Sequence, residues 1–537
     1  MKHRTQLKLL LLLLVFVLFC GVACAAYPND PPSTDGNGPQ HTVPSFLDEQ
    51  PAPPADTTIP VTQETEAPAE STTPQQPETT TFPGESTGES CPHITPGPYY
   101  EREITVLYWE DRQHEEFIAE YQTGEVVNDA IFYRNLSVTE RIGITQSYIL
   151  INGNASNTQS WQKYILNDVQ AAEGAFNVAA GYSLSMASTS ALGVFQNLLD
   201  PRFNVLNLDS PWWMSSLTET ATISDRLFLV SGDMALSTSY MMYACYVNQD
   251  MATALGLESV PELVRNGLWT YDKMIQMATG AYSDANGNKT KDLGDCFGYM
   301  TSGIHTDPWF YGSGATILEN DNGTLKISDT FDGQVANDSL IKANALLWGG
   351  NDGLYTTSTA HQIKEFAENR LLFMTDYIDA TLDLGVEDVK YTAVPFPKYS
   401  IDQAKYITTM GNPFTIMAVS ICNKATDFPM LSAYLECMAA ESHRQLLPAV
   451  FENSFRIKYA PDSDQREMFD VIRAGISIDP GRLYSGSLIG QGLWRNVMSS
   501  DLSAYSSDAW HKTCLQYGKA LEKSLSSFLG SYNNAIQ

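Results

Sequence analysis

Five short stretches place aromatic rings beside carboxylates or hydroxyls where strand-like runs end. Trp109-Glu110-Asp111 follows the apolar run 103–108, and Gly181-Tyr182-Ser183 follows the small-residue run 177–181. Trp212-Trp213 comes just after Pro211, Trp309-Phe310-Tyr311 precedes Gly312-Ser313-Gly314, and Asp376-Tyr377 follows 371–374. A ring stacked on an apolar face, with carboxylates or amides at the rim, suits a ligand rich in hydroxyls. Residues just past strand ends are where ligands of α/β sheets collect. Trp109 with Glu110 is the pairing that best fits this chemistry. The competing reading for each ring is core packing, since aromatics dominate cores. Trp269, just before an apparent helix cap, belongs with the core. Glu110 and Asp111 are also compatible with a solvated loop.

A second pattern concerns a metal. Counted from Asp284, positions one, three, five, nine and twelve are Asp284, Asn286, Asn288, Asp292 and Asp295. That spacing matches a calcium-binding EF-hand loop. It departs at Lys289, where glycine is usual, and at Asp295, where glutamate is usual. No helical pattern follows. A calcium ion here is expected to be structural; the alternative is an Asn-Gly surface turn.

Within residues 99–537 there is no GxSxG, HExxH or P-loop motif. Gly181-Tyr182-Ser183-Leu184-Ser185 lacks the closing glycine of a nucleophile elbow, and the 8 histidines show no metal spacing. A glycoside hydrolase needs two carboxylates flanking a cleft. Glu110 with Asp376 is the pair that keeps this alternative open, but the expectation is that no residue is catalytic.

The segments that hold these residues can be read in turn. Residues 1–23 carry Lys2, Arg4 and Lys8 before an apolar run and a small-residue exit, which is a secretory signal peptide. Val22-Ala23-Cys24 closes it like a lipobox, with Cys20 as the fallback for acylation and ordinary cleavage as the alternative. A diacylated cysteine supplies the two chains that stable anchoring needs. Residues 24–98 are rich in Pro, Thr, Ser and Glu, and no Lys or Arg lies between Lys8 and Arg102. Such a stretch buries too little apolar surface to order itself and reads as an extended, disordered linker.

The chain has 62 acidic and 32 basic residues, a net charge of −30; without Lys2, Arg4 and Lys8 it becomes −33. Such a field disfavours nucleic acid and anionic ligands, and admits neutral or cationic ones, peptides and polyamines included. The 8 cysteines show no CxxC spacing or disulfide framework.

Strand-like runs at 103–108, 177–181, 243–248, 371–374, 391–394 and 414–419 alternate with helical patterns. The helical patterns include 250–255, 271–281 capped by Thr270, 430–440 and 510–529. This alternation implies α/β lobes with mixed sheets.

Several segments, in order, resemble extracellular solute-binding protein family 1, the maltose-binding-protein-like substrate-binding lipoproteins of ABC transporters. They are Val126-Val127-Asn128-Asp129-Ala130 with Arg134-Asn135 and Glu140-Arg141, then Leu263-Val264-Arg265-Asn266-Gly267-Leu268-Trp269-Thr270. Next come Asp284-Ala285-Asn286-Gly287, Gly294-Asp295 and Phe297-Gly298, then Val394-Pro395-Phe396-Pro397-Lys398-Tyr399. Glu467-Met468 before Asp470-Val471-Ile472 completes the series, which runs from about residue 101 to 485.

The resemblance implies a two-lobed periplasmic-binding-protein-like fold of type II, with mixed sheets flanked by helices and a ligand cleft between the lobes. Lobe 1 would comprise 99–240 and 411–449, and lobe 2 would comprise 243–398. Residues 450–537 would form C-terminal helices packing on the lobes. The implied function is extracellular capture of a solute, a carbohydrate or oligosaccharide, for a bacterial ABC importer. Its partners would be the permease subunits, and the chain would be lipid-anchored outside the plasma membrane. A surface glycoside hydrolase, or a sensor or adhesin on the same fold, remain alternatives.

Overall fold

The computed structural model describes residues 94, 95, 97, 99–455, 462–489, 491–499 and 508–535. The signal segment, Cys20, Cys24 and the linker up to residue 93 lie outside the described residues.

In chain order the strands are β1 (Arg102–Trp109), β2 (Ile144–Ile151), β3 (Val178–Tyr182), β4 (Tyr243–Asn248) and β5 (Phe297–Ser302). There follow β6 (Leu318–Asp321), β7 (Thr324–Ile327), β8 (Gly353–Thr356) and β9 (Leu371–Tyr377). The series ends with β10 (Tyr391–Val394), β11 (Thr408–Thr409), β12 (Thr415–Val419) and β13 (Ile476–Ser477).

One sheet has the order β12-β3-β1-β2 and the other β10-β4-β9-β5-β8. In the first, β1 runs parallel to β2 and β3, whereas β12 returns antiparallel with Thr415 opposite Tyr182. In the second, β5 runs parallel to β8 and β9, and β4 lies antiparallel to β9 with Tyr243 opposite Tyr377. β3, β4, β9, β10 and β12 are buried throughout, the antiparallel β4, β10 and β12 included, so both faces of the sheets are covered at these strands.

Helices cover the sheets. Val126–Ile142 starts where the Glu125 side chain accepts from Val127 N and Asn128 N, and ends on Gly143 at φ 74°. It packs on Phe428–Glu441, a helix buried on nearly every side. Thr270 caps Tyr271–Ala278 by accepting from Lys273 N, as its type and position lead one to expect. Among the C-terminal helices, Asp462–Ala474 packs on β10, and the 27-residue Ala509–Ala535 packs on Gln334–Trp348. Among the described residues no helix is long and apolar enough to cross a membrane, and Cys245, Cys296, Cys422, Cys437 and Cys514 are free thiols.

Three crossings join the lobes. The stretch 240–242 is held where Ile378 N donates to Met242 O and Gly411 N to Met241 O, at 2.9 and 2.7 Å. The second and third are β11 and β13, which pair in parallel.

A fourth connection is made by hydrogen bonds rather than by the covalent chain. The β6–β7 hairpin branches from the second lobe's chain but seats on the first lobe. Asn320 Nδ2 donates to the carbonyls of Glu219, Thr220 and Thr222 at 3.0, 3.2 and 2.7 Å, closing the end of helix Ser215–Ala221. Ser224 N donates to Gly323 O at 2.9 Å, and Ser224 and Asp225 adopt φ of 50° and 58° to present that turn. Asn320→Ala is expected to cost about 1–2 kcal/mol of stability. Scanning calorimetry should read a fall of a few degrees in Tm, matched by Asn320→Asp, which keeps the shape but loses the donors. An unchanged Tm in both variants would mean that the hairpin is not held by this amide.

Candidate functional site

The ends of β1 and β3 and the start of β12 form one edge of the first sheet. Trp109 closes β1, is 2% exposed, and donates its Nε1–H to Thr415 Oγ1 at 2.9 Å. The Thr415 hydroxyl in turn donates to Glu116 Oε2, and Glu116 Oε1 accepts from Ser237 N at 2.6 Å. This chain fixes the indole. The Tyr182 ring lies 5.5 Å from it, tilted by 40°. Burial pushes the Tyr182 hydroxyl up to about 12, against the nearby Arg495 and Arg482. Ser183 donates its hydroxyl to Asn412 O at 2.5 Å.

Glu110 beside them is exposed. Asp111 is differently used: its carboxylate accepts from Gly153 N, Asn154 N and Asn157 Nδ2 at 2.7, 3.0 and 3.0 Å. It braces the turn after β2, which occupies the oxygens a ligand would need.

The second sheet contributes the ends of β5 and β9 and the start of β4. Tyr243 and Tyr377 pack with ring centroids 4.5 Å apart and hydroxyls 3.1 Å apart, and His305 sits against both. Gly411 lies so close to this wall that a Cβ there would meet the Tyr377 ring at 2.5 Å, so the crossing needs glycine at that position. Across the gap, His114 Nε2 of the first lobe lies 3.5 Å from Asp379 Oδ2 of the second, with its ring 4.5 Å from that of Tyr240. Asp307, after β5, holds Arg482 and Arg495 from the C-terminal segment, with Arg495 Nε 2.8 Å from Oδ1. Burial pushes the Asp307 carboxyl upward, but the two guanidiniums outweigh it and hold it below the usual range.

Asp376 is 4% exposed, accepts from Gln362 Nε2 at 2.7 Å and Tyr377 N at 2.8 Å, and lies 3.3 Å from His305 Nδ1. Burial raises its carboxyl to about 8 and lowers the His305 imidazole to about 4. Near pH 7 both are neutral, so their proximity is not an ion pair.

The remaining sequence candidates lie elsewhere. Trp309 is wholly buried in the second-lobe core, its Nε1 donating to Tyr299 OH at 2.8 Å. Core packing, rather than a platform at the surface, describes it here. Tyr311 is 6% exposed beneath the Arg482 guanidinium, 5.3 Å from its ring. Trp213 is buried with its Nε1 on Glu436 Oε2 at 3.0 Å, and Trp212 is half-buried. Trp213 borders a cavity of about 400 Å³ beside the crossings, together with Asp233, Met242, Arg473 and Ile476. Trp109 and Tyr182 therefore share one edge, with Glu110 and Ser183 flanking them, and Asp376 underlies the facing wall. Trp212, Trp213 and Trp309 do not join them. The residues not singled out from sequence are Tyr243, His305, Asp379, Asp307, Arg482 and Arg495. The strand-end rule named Tyr377 beside Asp376, but no local pattern joins Arg482 or Arg495 to Asp307.

No family model matches this sequence, and no curated protein matches it. Solved structures do. A cyclic α-maltosyl-1,6-maltose binding protein from Arthrobacter globiformis is similar with a TM-score of 0.51 at 13% identity, over 79% of this chain and 99% of its own. UgpB from Mycobacterium tuberculosis, in complex with glycerophosphocholine, gives 0.49 at 14% identity, over 74% and 95%. Maltose-bound MalE3 of T. maritima gives 0.48 at 13% identity, over 78% and 99%.

Between about pH 4 and 8 the folded protein keeps a proton on Asp376 that the unfolded chain has lost, so raising the pH through this window removes stability. Below pH 6.5 His305 acts in the opposite sense, because there the unfolded chain binds the extra proton. From pH 6.5 to 8, Asp376→Asn is therefore expected to gain on the parent by up to about 1.4 kcal/mol per pH unit. Urea unfolding at the two pH values measures it, and an equal difference at both would show that Asp376 ionises normally. The Arthrobacter likeness rests on a fold, and it agrees with the two sheets, their facing edges and the three crossings: the chain has the two-lobed periplasmic-binding-protein-like architecture.

Proposed function

We propose that this chain captures a carbohydrate or oligosaccharide by closing its lobes and presents it to ABC permease subunits at the outer face of a bacterial plasma membrane. The observation that carries this reading is that two aromatic pairs, Trp109–Tyr182 on one lobe and Tyr243–Tyr377 on the other, both come within electrostatic reach of Arg482 and Arg495. Rings bind the apolar faces of sugars, and Glu110, Ser183 and Asp379 at the rim are suited to hydroxyls. The fold neighbour from Arthrobacter globiformis binds a cyclic maltosyl-maltose, which supports the same ligand class. Ligand drives closure only through a higher affinity for the closed state. The net charge of −30 argues against nucleic acid as a partner. Cys24 is the proposed lipid attachment, and the acidic, proline-rich stretch after it the spacer.

Calorimetric titration against an oligosaccharide panel tests the central claim. One ligand should bind without being consumed, and Trp109→Phe and the exposed Glu110→Ala should each weaken it by about tenfold, roughly 1.4 kcal/mol. Sugar cleavage in the same tubes would replace this reading with a glycoside hydrolase, and silence across the panel would remove the carbohydrate assignment. For the anchor, Cys24→Ala should release the chain into the medium while Cys20→Ala leaves it on the cells; the reverse result would move the attachment to Cys20.

A further inference from the structure

The loop between Tyr282 and β5 folds like a calcium-coordinating turn. Gly287 and Lys289, its fourth and sixth positions, adopt φ of 74° and 62°, so Lys289 takes the left-handed conformation usually left to glycine. Lys289 N donates to Asp284 Oδ2 at 2.9 Å, and Thr290 N donates to Asn288 Oδ1 at 2.7 Å. The side-chain amides of Asn286 and Asn288 both reach Asp292, at 2.8 and 2.7 Å.

The independent observation lies in the carboxylates. Asp295 is 0% exposed; its Oδ2 accepts from Tyr282 OH at 3.2 Å and Asp292 N at 3.3 Å, but its Oδ1 is enclosed without any donor. Asp284 Oδ1 is likewise enclosed without a donor. A carboxylate oxygen shut away from water and from every donor is costly unless a cation meets it.

We propose that residues 284–295 bind one calcium ion. Asp284 and Asp295 are the charged ligands, the Asn286 and Asn288 amide oxygens and the Thr290 carbonyl are neutral ligands, and Asp292 acts through water, as position nine commonly does. Among the described residues no three His, Cys, Asp or Glu side chains form a metal-holding group, so the proposed site rests on two carboxylates completed by neutral oxygens. Two charges and an exposed loop give a weak site, with Kd of about 0.1–1 mM, in the range of extracellular modules. Ser283 pairs with Cys296, and Phe297 begins β5, so the ion clamps the start of this strand. The other end of β5, about 20 Å away at roughly 3.3 Å per residue, carries the candidate cleft. Calcium therefore stabilises the second lobe without touching the ligand.

The test uses the full chain after chelation, with calcium chloride and terbium as probes. Calcium at about 5 mM should raise Tm by several degrees, because it binds the folded state alone. Terbium should show luminescence sensitised by Tyr282, displaced by calcium. Asp295→Asn and Asn288→Ala should lose the rise in Tm while unfolding cooperatively in chelator. A Tm that ignores calcium, or a rise that persists in both variants, overturns the site. If Asp295→Asn does not fold, Asn288→Ala, an exposed position, decides alone.

Discussion

The buried charge of Asp307 organises the second lobe's working edge. An ionised carboxylate that deep is unfavourable alone, and removing one side of such a pair typically costs about 3–5 kcal/mol. Its two guanidiniums come from distant chain: Arg482 from the short helix Pro480–Leu483, and Arg495 from Gln491–Met498. Asp479 caps the first of these by accepting from Arg482 N at 2.7 Å, and with its other oxygen accepts from Ile317 N at 2.6 Å. Trp494 adds a bond from Nε1 to Thr306 O at 3.0 Å and packs on Trp510. The need to neutralise one carboxylate thus folds the C-terminal segment into a wall beside the strand ends.

The first lobe answers with a hydrogen-bonded counterpart. Trp109, Thr415, Glu116 and Ser237 link β1, β12 and the segment leading to the crossing at 240–242. Arg134, wholly buried, donates to Glu116 O at 2.6 Å and to Ser442 Oγ at 3.0 Å, tying helix Val126–Ile142 to the same knot. One lobe places a ring by relayed hydrogen bonds, the other places helices by charge, and the two preparations meet where the His114 and Asp379 side chains face each other.

How far this was legible depended on whether signals were local. The uninterrupted apolar runs mark β4 and β10 to the residue, and Thr270 marks its helix by cap chemistry alone. β2 escaped because Thr145-Gln146-Ser147 interrupts it and its faces are only half-buried; β5 escaped behind Gly298 and Thr301. The β6–β7 hairpin carries Asn322-Gly323, a turn signal readable in principle, but nothing local shows which lobe it seats on. At the cleft, the strand-end rule found Trp109 and Tyr182 because position follows from topology. It could not tell the Asp111 carboxylate, spent on a neighbouring turn, from one turned outward. Nor could it assemble Asp307 with Arg482 and Arg495, more than 170 residues apart, since only tertiary folding joins them.

The hairpin has a mechanical consequence. Asn320 and Gly323 reach from one lobe to grip helix Ser215–Ala221 and the turn that follows it on the other. That same helix is bonded through Ser216 and Thr220, at 2.7 and 2.8 Å, to Ile478 just past the β13 crossing. The grip thus sits beside the axis of any lobe rotation, where the arc travelled is short, and it stiffens that axis without having to let go.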